Sequence, residues 1–293
     1  MSSLLLQLTL NGLVAGSIYS LVASGLSLIY STNRFMHFAH GVIVILAGYI
    51  LFSFYSLIGF SFYYSVLSTL IYSSFIGFLI NKTIYSPLQK KKTSSVILLI
   101  ASISLLILFQ NLIQLFFGAG VKDIDYIDIQ KGLEFYGATI TQLQIITIII
   151  SSILCVGLFI FMKKTSLGKE MRAVSNNKEL ADIVGINSSK VKDLSFFIGS
   201  FLAGLAGILI SLEQNVSPSM GTNLIIKGFT GSVIGGISSV PASIFGSYII
   251  GLVENLGIAF LPSGFKEAIS FFLLFIFLLF RPEGLASLRR RVK

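Results

Sequence analysis

From Phe35 to Asn81 the chain reads FMHFAHGVIVILAGYILFSFYSLIGFSFYYSVLSTLIYSSFIGFLIN, without one Asp, Glu, Lys or Arg. About 20 apolar residues carry an α-helix across a bilayer core, so an uncharged run of this length must cross and return. Peptide groups in hydrocarbon have no water to bond, which leaves helices or a closed barrel. A barrel strand alternates apolar and polar residues, and this stretch does not. The stretch is therefore a helical hairpin in a membrane.

Similar runs recur almost to the C-terminus, each bounded by a short basic segment. Spans are predicted at residues 4–30, 41–58, 62–80, 95–118, 140–162 and 194–213, followed by apolar regions 225–261 and 266–281. The fold class is all-α, a polytopic transmembrane bundle of about 8–9 spans including a discontinuous late helix pair. Residues 1–293 read as one transmembrane domain, with a segment of about 163–193 outside the bilayer. Hydrophobic residues make up 54% of the chain and charged ones 11%, against roughly 25% charged in soluble domains. The net charge of +9 does not point to nucleic acid, because the cations sit in short loops beside apolar spans rather than on one face. Cys155, the one cysteine, lies mid-span and excludes an intrachain disulfide. The first apolar run, Leu4 to Tyr30, lacks a basic start and is too long for a signal peptide, so it is expected to stay as a membrane helix.

The loops set the orientation. Lys82, Lys90, Lys91 and Lys92 mark one cytoplasmic connection, and Arg289, Arg290, Arg291 and Lys293 mark a cytoplasmic tail. Loop 119–138 sets Lys122 and Lys131 against Asp123, Asp125, Asp128 and Glu134 and belongs outside, whereas loop 163–193, with seven basic and four acidic residues, belongs inside. The N-terminus is then outside and the C-terminus cytoplasmic, provided that region 225–261 enters and returns. Gly235, Gly236, Ser238, Ser239 and Pro241 interrupt that region, as a short or re-entrant helix followed by a full one would require. The alternative is a proline kink in one long tilted helix. Small residues recur every four positions at Gly12, Gly16, Ser20 and Ser24, at Gly199, Ala203 and Gly207, and at Gly231, Gly235 and Ser239. Each set is a smooth stripe for close helix contact.

Three features bear on chemistry. In loop 163–193, Asn176 can cap a helix with Glu179 three residues on, and Gly185 can end it. Leu180, Ile183 and Val184 then share an apolar face on about two turns, roughly 12 Å of helix. Such a helix suits a rigid coupling element docked in a partner's groove, or one lying flat on the membrane. Next, Asn33, His37 and His40 are expected to line a polar break between the first two spans, or else to mark helix ends at headgroup level. His37 and His40 also have metal-ligand spacing, but no carboxylate or cysteine follows nearby in sequence. Finally, Glu254 is the acidic residue deep in a late span and needs a partner, a proton or a cavity. No P-loop and no recognisable nucleophile arrangement is present, so neither a catalytic residue nor a cofactor is assigned, and energy must come from another chain.

Arg172, Ala173, Ala181, Gly185 and Ile186 resemble the cytoplasmic motif of the permeases of high-affinity branched-chain amino acid ABC transporters, the Liv-type family. Asn11, Gly12, Gly16, Ser17, Tyr19 and Leu21 resemble that family's first span. His37, Phe38, Ala39, His40 and Gly41 are similar to its next signature, with His37 where asparagine is usual. Lys227, Phe229, Gly235, Gly236, Ser239, Pro241, Gly246, Gly251 and Glu254 resemble its late glycine-rich segment, although Ser238 and Ala242 replace glycines. Arg281, Pro282, Glu283 and Gly284 resemble its closing motif. The resemblance implies a permease subunit of an amino-acid importer in the cell membrane. Its implied partners are two ATP-binding cassette subunits, a second permease subunit and an extracytoplasmic solute-binding protein. Arg172, Ala173, Glu179, Ala181, Gly185 and Ile186 would couple to the ATPase. Asn33, His37, His40, Gly235, Gly236 and Glu254 would belong to the pathway. A sugar permease of a related importer, a self-sufficient channel or secondary transporter, and a membrane enzyme resting on the histidine pair are the alternatives.

Overall fold

The computed structural model describes residues 2–124, 126, 132–281 and 284–285. Asp125, Asp128, Lys131, Pro282, Glu283 and the Arg289–Lys293 cluster lie outside the described residues. The elements run α1 (Ser2–Asn33), α2 (His40–Phe52), α3 (Phe62–Ile80), α4 (Ser86–Lys90), α5 (Ser95–Phe117), β1 (Leu133–Phe135), β2 (Ala138–Ile140), α6 (Gln142–Lys164), α7 (Ser166–Asn176), α8 (Lys178–Ile183), α9 (Ser188–Gln214), α10 (Met220–Gly235), α11 (Val240–Gly257) and α12 (Lys266–Phe280). Short π-helical stretches, Ser53–Leu57 and Asn81–Tyr85, continue α2 and α3.

Six helices are long and apolar enough to cross a membrane, or seven if the bent pair α10–α11 counts as one span. The expectation of 8–9 spans counted each limb of that pair and the 15-residue α12 separately. The bend is real: α10 and α11 meet at 117°, with Gly236 at φ +122° between them. Pro241 sits in the first turn of α11, where its missing N–H costs nothing, so it starts a helix instead of kinking one. The first limb begins at Met220, earlier than residue 225, with Thr222 and Asn223 inside it.

The small-residue stripes mark where backbones meet. A Cβ on Gly251 would lie 2.5 Å from the Gly16 nitrogen and 2.6 Å from the Gly12 oxygen, and Gly16 in turn packs on Tyr248. Farther along α1, Ser27 Oγ donates to the Ile237 carbonyl at 2.8 Å, so α1 and α11 run antiparallel over most of their length. Gly207 packs on Val44 and Ala47 of α2, and Gly231 on Ser247 of α11. Lipid supplies no hydrophobic drive between helices, so this close packing holds the bundle. The most buried spans are α1 and α9, while α3, α5 and α6 present Tyr63, Leu67, Ile100, Ile107, Ile153 and Phe159 outward.

At one end of the bundle β1 and β2 form a small antiparallel hairpin, which periodicity had not foreshadowed. Gln7 of α1 clasps its edge, donating to the Thr139 carbonyl at 3.0 Å and accepting from the Thr139 N–H at 2.7 Å. An isolated bridge between Lys122 and Val216 joins the α5–β1 and α9–α10 connections at that same end.

The packing yields a paired test. Gly251→Ala should lower the unfolding midpoint of the detergent-solubilised protein, costing about 1–3 kcal/mol because backbone atoms cannot move aside. Gly157 has nothing within 4 Å of an added Cβ, so Gly157→Ala should leave the midpoint unchanged or raise it. Equal midpoints in the two variants would remove backbone contact as the basis of the α1–α11 interface.

Candidate functional site

The segment expected to couple to a partner lies beside the end of α1. Two helices stand where one was expected. Asn176 is the last residue of α7, and the cap of α8 is Asn177, whose side chain accepts from the Leu180 N–H at 3.1 Å. The register shifts by one because the third helical residue counted from Asn177 is Leu180, which also leaves Glu179 out of any capping box. α8 is consequently only Lys178–Ile183, shorter than two turns. Gly185 ends it at φ +89°, and the Ile186 N–H closes back on the Ala181 carbonyl at 3.0 Å.

Ala181 is buried, whereas Leu180, Ile183 and Val184 are 59, 79 and 73% exposed. α8 therefore seats one small side chain on the bundle and turns its large apolar ones outward. α7 provides the seat, with Met171 and Val174 buried and Ala173 half-buried against the core. Arg172 and Glu179 are exposed, and the Arg172 guanidinium reaches only the Lys163 carbonyl, at 3.5 Å. The link to α1 is Arg34, held at φ +60° just past the helix end, which donates to the Ser175 carbonyl of α7.

A polar chain continues from there. Thr32 Oγ1 donates to Ser195 Oγ at 2.8 Å, and Asn33 Nδ2 to the same oxygen at 3.2 Å. Gln89 Nε2 donates to Asn33 Oδ1 at 3.4 Å, while Lys192 Nζ donates to Gln89 Oε1 at 2.6 Å. Asn81 and Lys82 hold Asp193 at 2.7 and 3.6 Å. α1, α3, α4, α7 and α9 are thus tied together at the basic end of the bundle.

The residues expected to share a pathway fall at separate places. Asn33 lines a cavity at the basic end. His37 precedes α2 instead of sharing a helix turn with His40, and both are fully buried. His37 sits in an aromatic box of Phe35, Tyr85 and Phe196, with Nδ1 3.1 Å from Tyr85 Oη. His40 lies on Gly25, with its imidazole against the backbone of Val22. No group of three His, Cys, Asp or Glu able to hold a metal occurs among the described residues. Gly235 and Gly236 form the α10–α11 bend, where Gly235 meets the Ala242 backbone.

Glu254 is 1% exposed and fully engaged. Lys227 Nζ lies 2.6 Å from Oε1, and Tyr19 Oη donates to Oε2 at 3.0 Å. Lys227 also donates to Tyr19 Oη at 3.2 Å, its ammonium 5.4 Å from the ring centre. Helical side chains lean toward their own N-terminus, so on antiparallel α1 and α11 Tyr19 and Glu254 lean toward each other. Lys227 arrives from α10, across the bend. Sequence reasoning left Glu254 without a partner, although a signal was present: Lys227 and Glu254 are opposite charges on consecutive limbs of one broken segment that is otherwise uncharged from Met220 to Phe265.

Comparison with known proteins agrees with this architecture. Residues 8–280 match the family model described as branched-chain amino acid transport system / permease component. The high-affinity branched-chain amino acid transport system permease protein BraD of Pseudomonas aeruginosa is 30% identical over 96% of this chain and 95% of its own. Likeness to sugar permeases is partial: the xylose transport system permease protein XylH of Haemophilus influenzae is 31% identical over 37% of this chain and 30% of its own. Among solved structures, PsaBC from Streptococcus pneumoniae in complex with Fab superposes with a TM-score of 0.51, at 16% identity, over 95% of this chain and 94% of that one, which speaks for the fold alone. With its spans, its broken late helix pair and its two-helix projection in place from end to end, the chain belongs to the family of permease components of branched-chain amino acid transport systems.

Proposed function

We propose that this chain is the membrane-spanning permease subunit of an ABC importer, moving branched-chain or other apolar amino acids into the cell while separate subunits hydrolyse ATP. The supporting observation is α8: Leu180, Ile183 and Val184 are exposed on a capped helix whose own support is buried. A projection that holds its shape without burying its apolar face suits a groove on a partner. In this reading α7 and α8 are cytoplasmic and each ATPase subunit of a pair grips one such projection. A second permease subunit completes the membrane unit. The solute-binding protein docks outside, at the end where the Lys122–Val216 bridge joins the α5–β1 and α9–α10 connections. ATP-driven movement of the projection passes to α1 through Arg34 and to α9 through the chain itself, biasing the bundle between its two access states. A self-sufficient ion-coupled transporter has less support, since Glu254 is already occupied by Lys227 and Tyr19.

Two experiments follow from the geometry. Ile183→Asp places a charge on a residue that contributes little to the fold. It should weaken ATPase association about tenfold or more, and abolish leucine-stimulated ATP hydrolysis in reconstituted vesicles, with an unaltered unfolding midpoint. Arg172→Ala and Gly185→Val should impair coupling in the same assay, and normal assembly and uptake in all three variants would refute the coupling role.

The second concerns the buried triad. Glu254→Gln leaves an ammonium opposite a neutral amide and should destabilise the protein by about 3 kcal/mol. Adding Lys227→Met should restore much of the stability, since no charge is then unpaired, while uptake stays low. Wild-type uptake by the double variant would make the triad purely structural.

A further inference from the structure

We propose that the cavity at the basic end of the bundle is a binding site for a phosphate-bearing anion. It has a volume of about 380 Å³ and lies between the ends of α1, α3 and α4, the start of α5 and the start of α9. Four cations line it, Arg34, Lys90, Lys178 and Lys192. Among the described residues the one carboxylate in the lining, Asp193, is already engaged by Asn81 and Lys82. The partners of the other cations are neutral: Lys192 bonds the Gln89 amide, and Arg34 bonds the Ser175 carbonyl. Asp182 accepts from the Ser188 N–H at 3.3 Å and is not part of the wall, although its charge offsets part of that of Lys192. Among the described residues no ion pair neutralises any of the four, so the cavity gathers like charge that an anion would relieve.

The remaining wall narrows the chemistry. Ser86, Ser95, Ser188 and Ser189 offer hydroxyl donors, while Thr93 donates to the Leu88 carbonyl. Ser95 and Ser188 are the first residues of the 23-residue α5 and the 27-residue α9, whose starts carry partial positive charge. Among the described residues Leu98 is the only apolar residue in the lining, so a leucine or valine side chain would have little beyond side-chain stems to pack on. This wall therefore does not suit the transported amino acid of the proposed function. A guanidinium, ammonium groups and hydroxyls around a wet cavity suit the several acceptor oxygens of a phosphate.

Such a phosphate has two sources. The cavity lies where several membrane helices end, so an anionic phospholipid can present one; a soluble phosphate species is the other. Purified, delipidated full-length chain would be probed by native mass spectrometry with phosphatidylglycerol and with phosphatidylcholine. Its unfolding midpoint would be read with inorganic phosphate against chloride at matched ionic strength. Preferential retention of phosphatidylglycerol identifies the lipid, and a midpoint rise in phosphate alone identifies the soluble anion; either supports the site. In both cases the exposed pair Lys90→Gln with Lys178→Gln should weaken binding about tenfold, and the control pair Lys91→Gln with Lys164→Gln, outside the lining, should not. Absence of binding by both probes, or equal binding by the two double variants, overturns the proposal. ATPase association takes no part in these readouts, so failure of the coupling role would leave them unaffected.

Discussion

The contact on which most of this structure depends is the meeting of α1 and α11 backbone to backbone. Gly12, Gly16 and Gly251 remove the side chains between them, and the antiparallel course runs from there to Ser27 and Ile237. That proximity fixes where the bend after Gly235 must lie, because α11 can follow α1 only if the chain has already turned. It also fixes the triad. Tyr19 and Glu254 lean together because their helices run in opposite directions, and the folded-back α10 delivers Lys227. A broken helix inside a membrane exposes peptide groups, and here the break is wrapped in protein: Ser243 Oγ donates to the Gly236 carbonyl, and Gly284 packs on Val233 and Gly236.

Sequence periodicity alone located the spans because lipid imposes a single demand, an unbroken apolar run, and charges mark its ends. It was weaker wherever that demand lapses. α7 is amphipathic and rich in charge, so it reads as loop, though Met171 and Val174 anchor one face of it in the core. The adjoining Asn176 and Asn177 are chemically equal as caps. The choice between them is made by where α7 stops, which packing against α1 and α9 decides. The β hairpin was unreadable for a similar reason: three-residue strands carry little pattern, and much of their support is the amide of Gln7, more than a hundred residues away in sequence.

The candidate site was legible as a set of residue types and not as a place. Glu254 declared itself by the cost of a carboxylate in hydrocarbon, yet its partners come from α1 and α10 and needed the fold. The histidines were singled out on the same ground of cost, and there the structure gives a different answer. His37 and His40 are enclosed by aromatic rings and glycine instead of bordering the cavity, so their polar character is spent inside the core next to Tyr85. Asn33 alone of that trio reaches the cavity, and it does so as one link between Ser195 and Gln89.

The interfaces differ in how strongly they resist sliding. Serines along α1 largely satisfy themselves, Ser20, Ser24 and Ser31 donating to carbonyls three residues back, which fills the helix surface without directing its neighbour. Against α11 and α10, however, α1 adds directed bonds, between the Ser17 and Tyr248 hydroxyls, from Tyr19 to Glu254 and from Ser232 to the Ala23 carbonyl. These three helices form one cross-linked body. α9 meets α2 and α3 differently, through Gly204 on Ser73, Gly207 on Val44 and Ser200 on Gly77. Among the described residues the directed bonds from α9 to this α2–α3 side, from Asn81 and Lys82 to Asp193, lie at the basic end. Under the proposed function a smooth seam latched at one end would part from that end, because breaking the latch costs a few polar contacts while the rest need only slip. The latch and the α7–α8 projection share α9 as their common root, so a pull on the projection is applied where the seam is held.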